Sequence, residues 1–451
     1  MALAGALAVA EAIALATRPR GRLLAAPPVR AEDHFSAEEI ARARRFVRPQ
    51  LAIGLAGMAL EGVVLASLVR RPPAPPAGLA RRSLAAGAAT GAALSLTLTV
   101  AGLPLAALAR RRSLDAGLAT QSWGGWAGDV AKSTALGTAF AGAGSALALE
   151  LMRRLPRGWW IPGSGLAVAG GAVLLLAGPV LLDPLFNRFT PLPAGPARDD
   201  VLELARRAGV RVRQVYVVDA SRRTTAANAY VTGLGPTKRV VLFDTLLNSF
   251  SPEETRLVVA HELAHVHYRD VPQALLHMAV TAPLCALAVA RLTRRLTPAG
   301  EAGQAGEAEP EVLPGLALAV GLVATPVSLI YNARSRAVEA RADAFALELT
   351  NDPAPFISFE RRIALQNLAD PDPPAWVARL LATHPTTVER IGIARAYEAG
   401  ERWSDAGPAM GSVADFGAVG SGGERGSDGA AAASAAGAAS AADGATHPPP
   451  G

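Results

Sequence analysis

SPEETRLVVAHELAHVHYRD, residues Ser251–Asp270, is the segment around which the rest of this chain can be arranged. Its first residues are typical of a helix start. Ser251 can cap the helix, Pro252 suits the first helical position, and Glu254, three residues after the cap, completes a capping box. The segment is therefore predicted to form one helix.

The middle of this helix contains an HExxH motif formed by His261, Glu262 and His265. Residues four apart share one helix face, so both imidazoles can reach the same metal ion. Glu262 lies about 100° further round, where it can act on a water molecule that the metal activates. The spacing is typical of a zinc peptidase, although so short a motif occurs by chance in roughly one chain in a hundred of this length.

A catalytic zinc site needs a third protein ligand. The extended motif HExxHxxGxxH is excluded, because its Gly and His positions hold Tyr268 and Val271. The later segment SRAVEARADAFAL offers Glu339 as the ligand and, one helical turn on, Asp343 as the acceptor that orients a ligating imidazole. An ExxxD pair is common on exposed helices, but its neighbours here are mainly apolar, where two carboxylates are costly without a cation.

The composition indicates a membrane protein, since 51% of the 451 residues are hydrophobic and only 18% are charged. The single cysteine, Cys285, excludes an intrachain disulfide framework and a cysteine-rich metal site. The net charge of +6 comes mainly from arginines in short clusters between apolar stretches. Such clusters are typical of membrane flanks and not of a nucleic-acid surface.

Seven apolar segments are predicted to span the membrane. They are Met1–Thr17, Leu51–Val69, Ser83–Ala109, Ala135–Met152, Gly165–Leu182, Val271–Leu292 and Val312–Tyr331. The third contains Gly87 and Gly91, whose spacing favours close helix packing. The polar segment Arg18–Gln50, with an amphipathic portion around Glu38–Val47, is predicted to be a loop near the membrane surface.

Basic residues in the short loops favour one orientation. Arg18–Arg48 holds eight and Arg110–Lys132 four, against ten in the alternate loops. The small excess places the HExxH helix in the cytoplasm.

The predicted units follow from this arrangement. They are residues 1–182 with five spans, 183–270 and 332–403 as two halves of a catalytic unit, 271–331 with two spans and a linker over Thr297–Glu311, and 404–451 as a disordered Gly/Ala/Ser-rich tail. In the first half, Arg213–Asp219 alternates like a strand, and Asn228–Thr232 with Arg239–Asp244 suggests a hairpin through Gly233 and Gly235. The polar start of Asn228–Thr232 suits an exposed sheet edge.

Several segments beyond HExxH resemble the type I CAAX prenyl endopeptidase family, a group of membrane zinc proteases related to bacterial heat-shock-induced membrane proteases. The matching segments run in the family's order from Met1 to about Trp403. They are GLATQSWGGWAGDVAK (117–132), DPLFNRFTPLPAG (183–195), YVVDASRRTTAANAYVTGLG (216–235), RVVLFDTLL (239–247), SRAVEARADAFA (335–346) and THPTTVERI (383–391). One departure lies before Asn228, where Thr225–Ala227 replaces the family's typical serine and histidine.

The resemblance implies a seven-span helical bundle enclosing a water-filled chamber, with a small α+β zinc-peptidase unit split around spans six and seven. It implies one Zn²⁺ per chain, held by the ligands His261, His265 and Glu339, with Glu262 as the general base. It further implies that His384 steadies the tetrahedral intermediate. The substrate-pairing edge strand is implied to be Asn228, Ala229 and Tyr230.

The predicted function is that of an integral membrane zinc endopeptidase, similar to a CAAX prenyl protease. The expected partners are peptide or protein substrates, some with a lipidated C-terminus, and membrane lipids, and the chain is expected to be a monomer that binds no nucleic acid. Two alternatives remain open at this point: a general quality-control protease of membrane proteins, and a non-catalytic membrane receptor or scaffold that retains the fold.

Overall fold

The computed structural model of the chain describes residues 1–19, 27–72, 83–233, 238–297 and 309–400. The predicted tail 404–451, Gly235 of the predicted hairpin and most of the predicted linker Thr297–Glu311 lie outside these ranges.

Helices dominate the described part of the chain. They are α1 (Ala2–Ala16), α2 (Ala37–Arg70), α3 (Leu84–Asp115), α4 (Trp123–Arg154), α5 (Trp160–Leu181), α6 (Pro196–Arg207), α7 (Asp244–Ser249), α8 (Pro252–His267), α9 (Asp270–Leu296), α10 (Leu313–Thr350), α11 (Pro353–Gln366) and α12 (Thr387–Glu398). The strands are β1 (Phe189–Pro191), β2 (Gln214–Val218), β3 (Ala229–Thr232) and β4 (Arg239–Phe243).

Within the described ranges, six helices are long and apolar enough to cross a membrane: α2, α3, α4, α5, α9 and α10. The first predicted span, Met1–Thr17, forms only the 15-residue α1. At 1.5 Å per residue α1 is roughly 22 Å long, which is short of a hydrocarbon core of about 30 Å. The predicted fold class, a helical membrane bundle carrying a small α+β unit, is confirmed, with six qualifying spans instead of seven.

The prediction of a surface loop over Arg18–Gln50 is wrong for its second half. α2 begins at Ala37 and continues without a break into the second span, and its start carries a capping box of Ser36 and Glu39. Ile40 on its first turn is buried in a cluster with Ala364 and Ile391 of the catalytic unit. The burial of apolar side chains there extends the helix beyond the membrane.

α3 and α4 pack closely because small residues face each other. A Cβ at Gly87 would lie 2.9 Å from Leu149 Cδ1, and one at Gly91 would overlap the side chain of Ser145. The spacing of these two glycines therefore marks a real helix contact, in which the backbones approach more closely than larger residues allow.

A four-stranded sheet in the order β1-β2-β4-β3 forms the β part of the catalytic unit. β1 and β3 pair antiparallel with their neighbours, whereas β2 and β4 are parallel. The predicted pairing of Asn228–Thr232 with Arg239–Asp244 is present, with Tyr230 opposite Val241. β3 lies at an edge of the sheet, as its sequence predicted.

α8 packs against this sheet and against α10. Val259 and Leu263 of α8 share a buried apolar cluster with Val240 and Leu242 of β4. α10 runs unbroken from its membrane span to Thr350, so the predicted boundary between residues 331 and 332 falls inside one helix. A rigid helix thus connects the bundle to the segment that contains Glu339.

Candidate active site

α8 starts as its sequence predicts but ends at His267, three residues before the predicted end at Asp270, and it holds the HExxH motif near its C-terminal end. Ser251 accepts a hydrogen bond from the Glu254 N–H, and the Glu254 carboxylate accepts one from the Ser251 N–H. Arg362 of α11 forms an ion pair with Glu254 at 2.5 Å. The capping box and this ion pair fix the start of the helix that carries the motif three turns later.

The carboxylate of Glu339 lies between the two histidines of the motif. Its Oε2 is 3.1 Å from His261 Nε2, and its Oε1 is 3.8 Å from His265 Nε2. Glu339 lies on α10, which packs directly on α8. One helix-helix contact therefore brings Glu339 to the HExxH motif despite the long separation in sequence. Three donor atoms, from His261, His265 and Glu339, face a common point.

Glu262 is the other carboxylate of this group. The ligand atoms of His261, Glu262 and His265 all lie within 4.8 Å of one another. Glu339 also lies within this distance of both imidazoles, at 3.1 and 3.8 Å from their Nε2 atoms, so two carboxylates flank the pair of histidines. Burial raises the pKa of the Glu262 carboxyl above its ordinary value, against the opposing effect of the nearby histidines.

The far nitrogen of His261 is held by Asp343, one helical turn after Glu339. His261 Nδ1 is 2.9 Å from Asp343 Oδ1. Arg390 of α12 donates to both oxygens of Asp343, at 2.8 and 2.5 Å, and also lies 2.8 Å from Glu360. A carboxylate on Nδ1 fixes the ring so that Nε2 faces Glu339.

The far nitrogen of His265 is held by Asp270, which the sequence reasoning missed. His265 Nδ1 is 3.0 Å from Asp270 Oδ2, and Arg341 forms an ion pair with Asp270. The sequence did contain a signal for this role, because Asp270 follows the last histidine of the motif by five residues and lies at the start of the next apolar segment.

The cluster of carboxylates favours a cation. Burial alone would lower the pKa of His261, but its hydrogen bonds to Asp343 and Glu339 outweigh that effect and raise the pKa to about 10. A protonated imidazole or a metal ion would satisfy the same negative surroundings.

His384 reaches the same carboxylate from the segment before α12. Its Nε2 is 3.2 Å from Glu339 Oε2, its Nδ1 is 2.9 Å from Thr383 Oγ1, and its side chain is 54% exposed. The tertiary structure thus brings His384 to the rim of the site. It is the most accessible of the three histidines that contact Glu339.

β3 packs on α8 and has an open edge. The Phe243 N–H donates to the Asn228 carbonyl at 3.1 Å, which makes these residues a hydrogen-bonded pair of the ladder. Antiparallel pairs alternate, so the main-chain groups of Ala229 and Val231 point away from β4, whereas those of Tyr230 point towards it. Of the predicted substrate residues, Ala229 therefore presents its main chain to the open edge, together with Val231.

The side chains on this strand are engaged elsewhere. Tyr230 donates its hydroxyl to Asp183 at 3.1 Å, and burial together with Asp183 raises the pKa of Tyr230. Asn228 Oδ1 accepts the Ala229 N–H at 2.9 Å. These contacts hold the strand in place and leave the Val231 N–H and C=O directed to the edge.

Comparison with known proteins identifies the family to which this chain belongs. Residues 191–398 match the model of Peptidase family M48. The chain is 31% identical over 315 residues to the uncharacterized metalloprotease YhfN of Bacillus subtilis (strain 168), covering 69% of this chain and 74% of that protein. The chain belongs to peptidase family M48.

The peptidase is also 39% identical over 143 residues to CAAX prenyl protease 1 of Saccharomyces cerevisiae, which is 31% of each protein. Its fold is similar to the crystal structure of S. mikatae Ste24p, with a TM-score of 0.69 at 21% identity over 86% of this chain and 99% of that one. The resemblance to the CAAX prenyl endopeptidase family is confirmed. The chain is an integral membrane metalloendopeptidase that acts on peptides or proteins.

Proposed function

We propose that the metal is a single zinc ion and that His261, His265 and Glu339 hold it. The observation that carries this proposal is the approach of one Glu339 carboxylate to both Nε2 atoms, at 3.1 and 3.8 Å. Two imidazole nitrogens and one carboxylate oxygen are a common donor set for catalytic zinc, which leaves a fourth position open. When bound, zinc supplies Lewis acidity that activates a water molecule and polarises a carbonyl.

The remaining residues supply the proton transfers and the charge stabilisation. Glu262 accepts the proton of the attacking water and later delivers it to the leaving amine. Its raised pKa suits both halves of this exchange. His384 donates its Nε2 hydrogen to the oxygen that becomes negative as the scissile carbonyl is attacked. Its neighbour Thr383 then donates its hydroxyl to Nδ1, which keeps that hydrogen on Nε2.

We infer that the substrate is an extended peptide added to β3. Main-chain pairing with the open edge gives affinity without reading sequence, and side chains of alternate residues are left to give specificity. This arrangement suits a protease that accepts the C-terminal segments of several proteins.

The substrate class we propose is a peptide with a prenylated C-terminus, entering from the membrane. The support is the similarity to CAAX prenyl protease 1 of Saccharomyces cerevisiae together with the membrane helices that adjoin both halves of the site. Processing of unmodified membrane proteins is the other substrate class. Thr225–Ala227, just before β3, is the segment in which this chain departs from the prenyl protease pattern.

A cleavage assay separates these classes. Purified protein is incubated with a farnesylated peptide and with the same peptide unmodified, each with and without a zinc chelator. We expect the chelator to abolish cleavage and added Zn²⁺ to restore it. Faster cleavage of the farnesylated peptide supports the prenylated class, whereas equal rates favour general proteolysis, and cleavage that survives metal removal contradicts the zinc assignment.

We also propose that the catalytic unit faces the cytoplasm. Both basic segments used for the orientation contact it, since Arg44 pairs with Asp370 and Thr120 donates to the Ser221 carbonyl. The excess of basic residues and the site therefore lie on the same side of the bundle. A monomer in contact with lipids stays a prediction.

A further inference from the structure

His265 is the proposed metal-site histidine that is closest in sequence to the membrane helix α9, which begins at Asp270. α8 ends at His267, and Arg269 adopts a left-handed conformation with φ 56° in the short turn between the helices. This turn returns the first residue of α9 to the imidazole that precedes it by five positions. Asp270 Oδ2 lies 3.0 Å from His265 Nδ1.

Arg341 fixes the other oxygen of the same carboxylate. It forms an ion pair with Asp270 Oδ1, and both side chains are only 11% exposed. Its guanidinium also lies 3.9 Å from the centre of the Tyr268 ring, in the same turn. Arg341 is two residues after Glu339 on α10, so one helix carries both the proposed ligand and this clamp.

We propose that Asp270 and Arg341 form a positioning pair that orients His265, and that this pair aligns the metal site with the membrane helix α9. The inference rests on the proposed metal site. Neither residue is among the proposed metal ligands, and both act through the His265 ring. Asp343 and Arg390 make the same kind of pair at His261. Arg390 belongs to α12 of the catalytic unit, whereas Asp270 is the first residue of a membrane span.

A simpler role for Asp270 is that of an acidic residue in the first turn of a helix. Such a residue stabilises a helix through the helix dipole and is satisfied by solvent. The Asp270 side chain is instead only 11% exposed, with one oxygen on an imidazole and the other on a guanidinium. That geometry is typical of an outer partner of a metal ligand, whose loss weakens metal binding roughly 10–100-fold.

The test measures metal affinity and coordination, independently of turnover. Zn²⁺ affinity is determined by competition with a chelator, and the absorption spectrum of Co²⁺-substituted protein reports the ligand geometry. We expect Asp270→Asn to weaken Zn²⁺ binding roughly 10–100-fold and to change the Co²⁺ spectrum. Arg341→Lys should weaken binding by a smaller factor, because lysine keeps the charge and loses the planar fork.

Glu253→Gln is the matched control. Glu253 is an exposed acidic residue in the first turn of α8, the helix that carries His265. It should leave affinity and spectrum unchanged. In a double-variant cycle, Asp270→Asn combined with Arg341→Lys should cost less than the product of the two single effects, because both act on one ring.

The proposal is overturned if Asp270→Asn binds Zn²⁺ within twofold of the unaltered chain with the same Co²⁺ spectrum. It is also overturned if binding falls while the spectrum is unchanged and the melting temperature of the metal-free protein drops, since a helix-start role predicts that result. If Asp270→Asn does not fold, Arg341→Lys decides by the same two measurements. Failure of the unaltered chain to bind one metal ion contradicts the proposed function itself.

Discussion

At the scale of single residues, both histidines of the HExxH motif use one nitrogen for the site and the other for a carboxylate. His261 pairs with Asp343 and His265 with Asp270, and an arginine holds each carboxylate. Buried charges are stable only when they are paired and hydrogen-bonded. The carboxylates therefore fix the orientation of both rings.

Substitutions of Glu339 and Glu262 should have different effects on zinc content and turnover. Glu339→Ala removes a donor atom, so zinc should fall far below one per chain. Glu262→Gln leaves the donors in place and removes only the base, so it should keep the zinc and lose activity. Elemental analysis of both variants with a turnover assay checks this. Full zinc occupancy in Glu339→Ala would be incompatible with its assignment as a ligand.

His384 should affect the chemical step and not the metal. Its exposed position beside Glu339 suits donation to the developing oxyanion, an interaction that is stronger in the transition state than in the ground state. His384→Ala should lower kcat by on the order of a hundredfold, with zinc content and KM nearly unchanged. Steady-state kinetics and metal analysis measure these quantities. Loss of zinc in this variant would instead make His384 a ligand.

At the scale of elements, β3 carries the proposed substrate-pairing edge and α10 carries the proposed third metal ligand. β3 is an edge strand on α8, and α10 carries Glu339 down from the bundle without interruption. Both elements pack on α8, which places the proposed substrate strand and the proposed third ligand against one helix. The strand and the ligand are thereby fixed to the same scaffold.

Replacing one residue of β3 should weaken peptide binding and leave the metal in place. The Val231 N–H points to the open edge, so Val231→Pro removes a donor to substrate without removing a bond to β4. KM should rise and zinc content should stay at one per chain. Val231→Ala is the control, because it keeps the N–H. A crosslinking peptide that labels other segments but never β3 would contradict this role.

At the scale of the whole molecule, the catalytic unit lies at one end of the bundle. The loop between α4 and α5, which contains the exposed Arg157, follows the end of α4 that is far from the Ala119–Thr224 contact with the catalytic unit. Opposite ends of the same helices should therefore face opposite sides of the membrane.

Cysteine labelling tests this orientation directly. The chain has one cysteine, so Cys285→Ser gives a background without thiols. A cysteine at Glu253, on the catalytic unit, should react with an impermeant reagent only from the cytoplasmic side. A cysteine at Arg157 should react only from the other side. Labelling of Glu253→Cys in intact cells would reverse the proposed orientation.

The sequence by itself determined the local features of this protein. Capping residues, the four-residue spacing of His261 and His265 and the apolar lengths of the helices depend on neighbours along the chain, so α8, the edge strand and the membrane class were all predictable. The close contact of α3 with α4 was likewise marked by Gly87 and Gly91.

Only the tertiary structure decided how distant segments meet. The extension of α2 into the catalytic unit depends on Ile40 packing against Ala364 and Ile391, more than three hundred residues away in the sequence, and the amphipathic pattern of Glu38–Val47 does not specify these partners. The same holds for Asp270. The turn at Arg269 and the packing of α10 bring its two carboxylate oxygens to His265 and Arg341. A carboxylate at a helix start can pair with many side chains or with solvent. In the folded chain it pairs with the polar groups beside it, because a buried unpaired charge is costly.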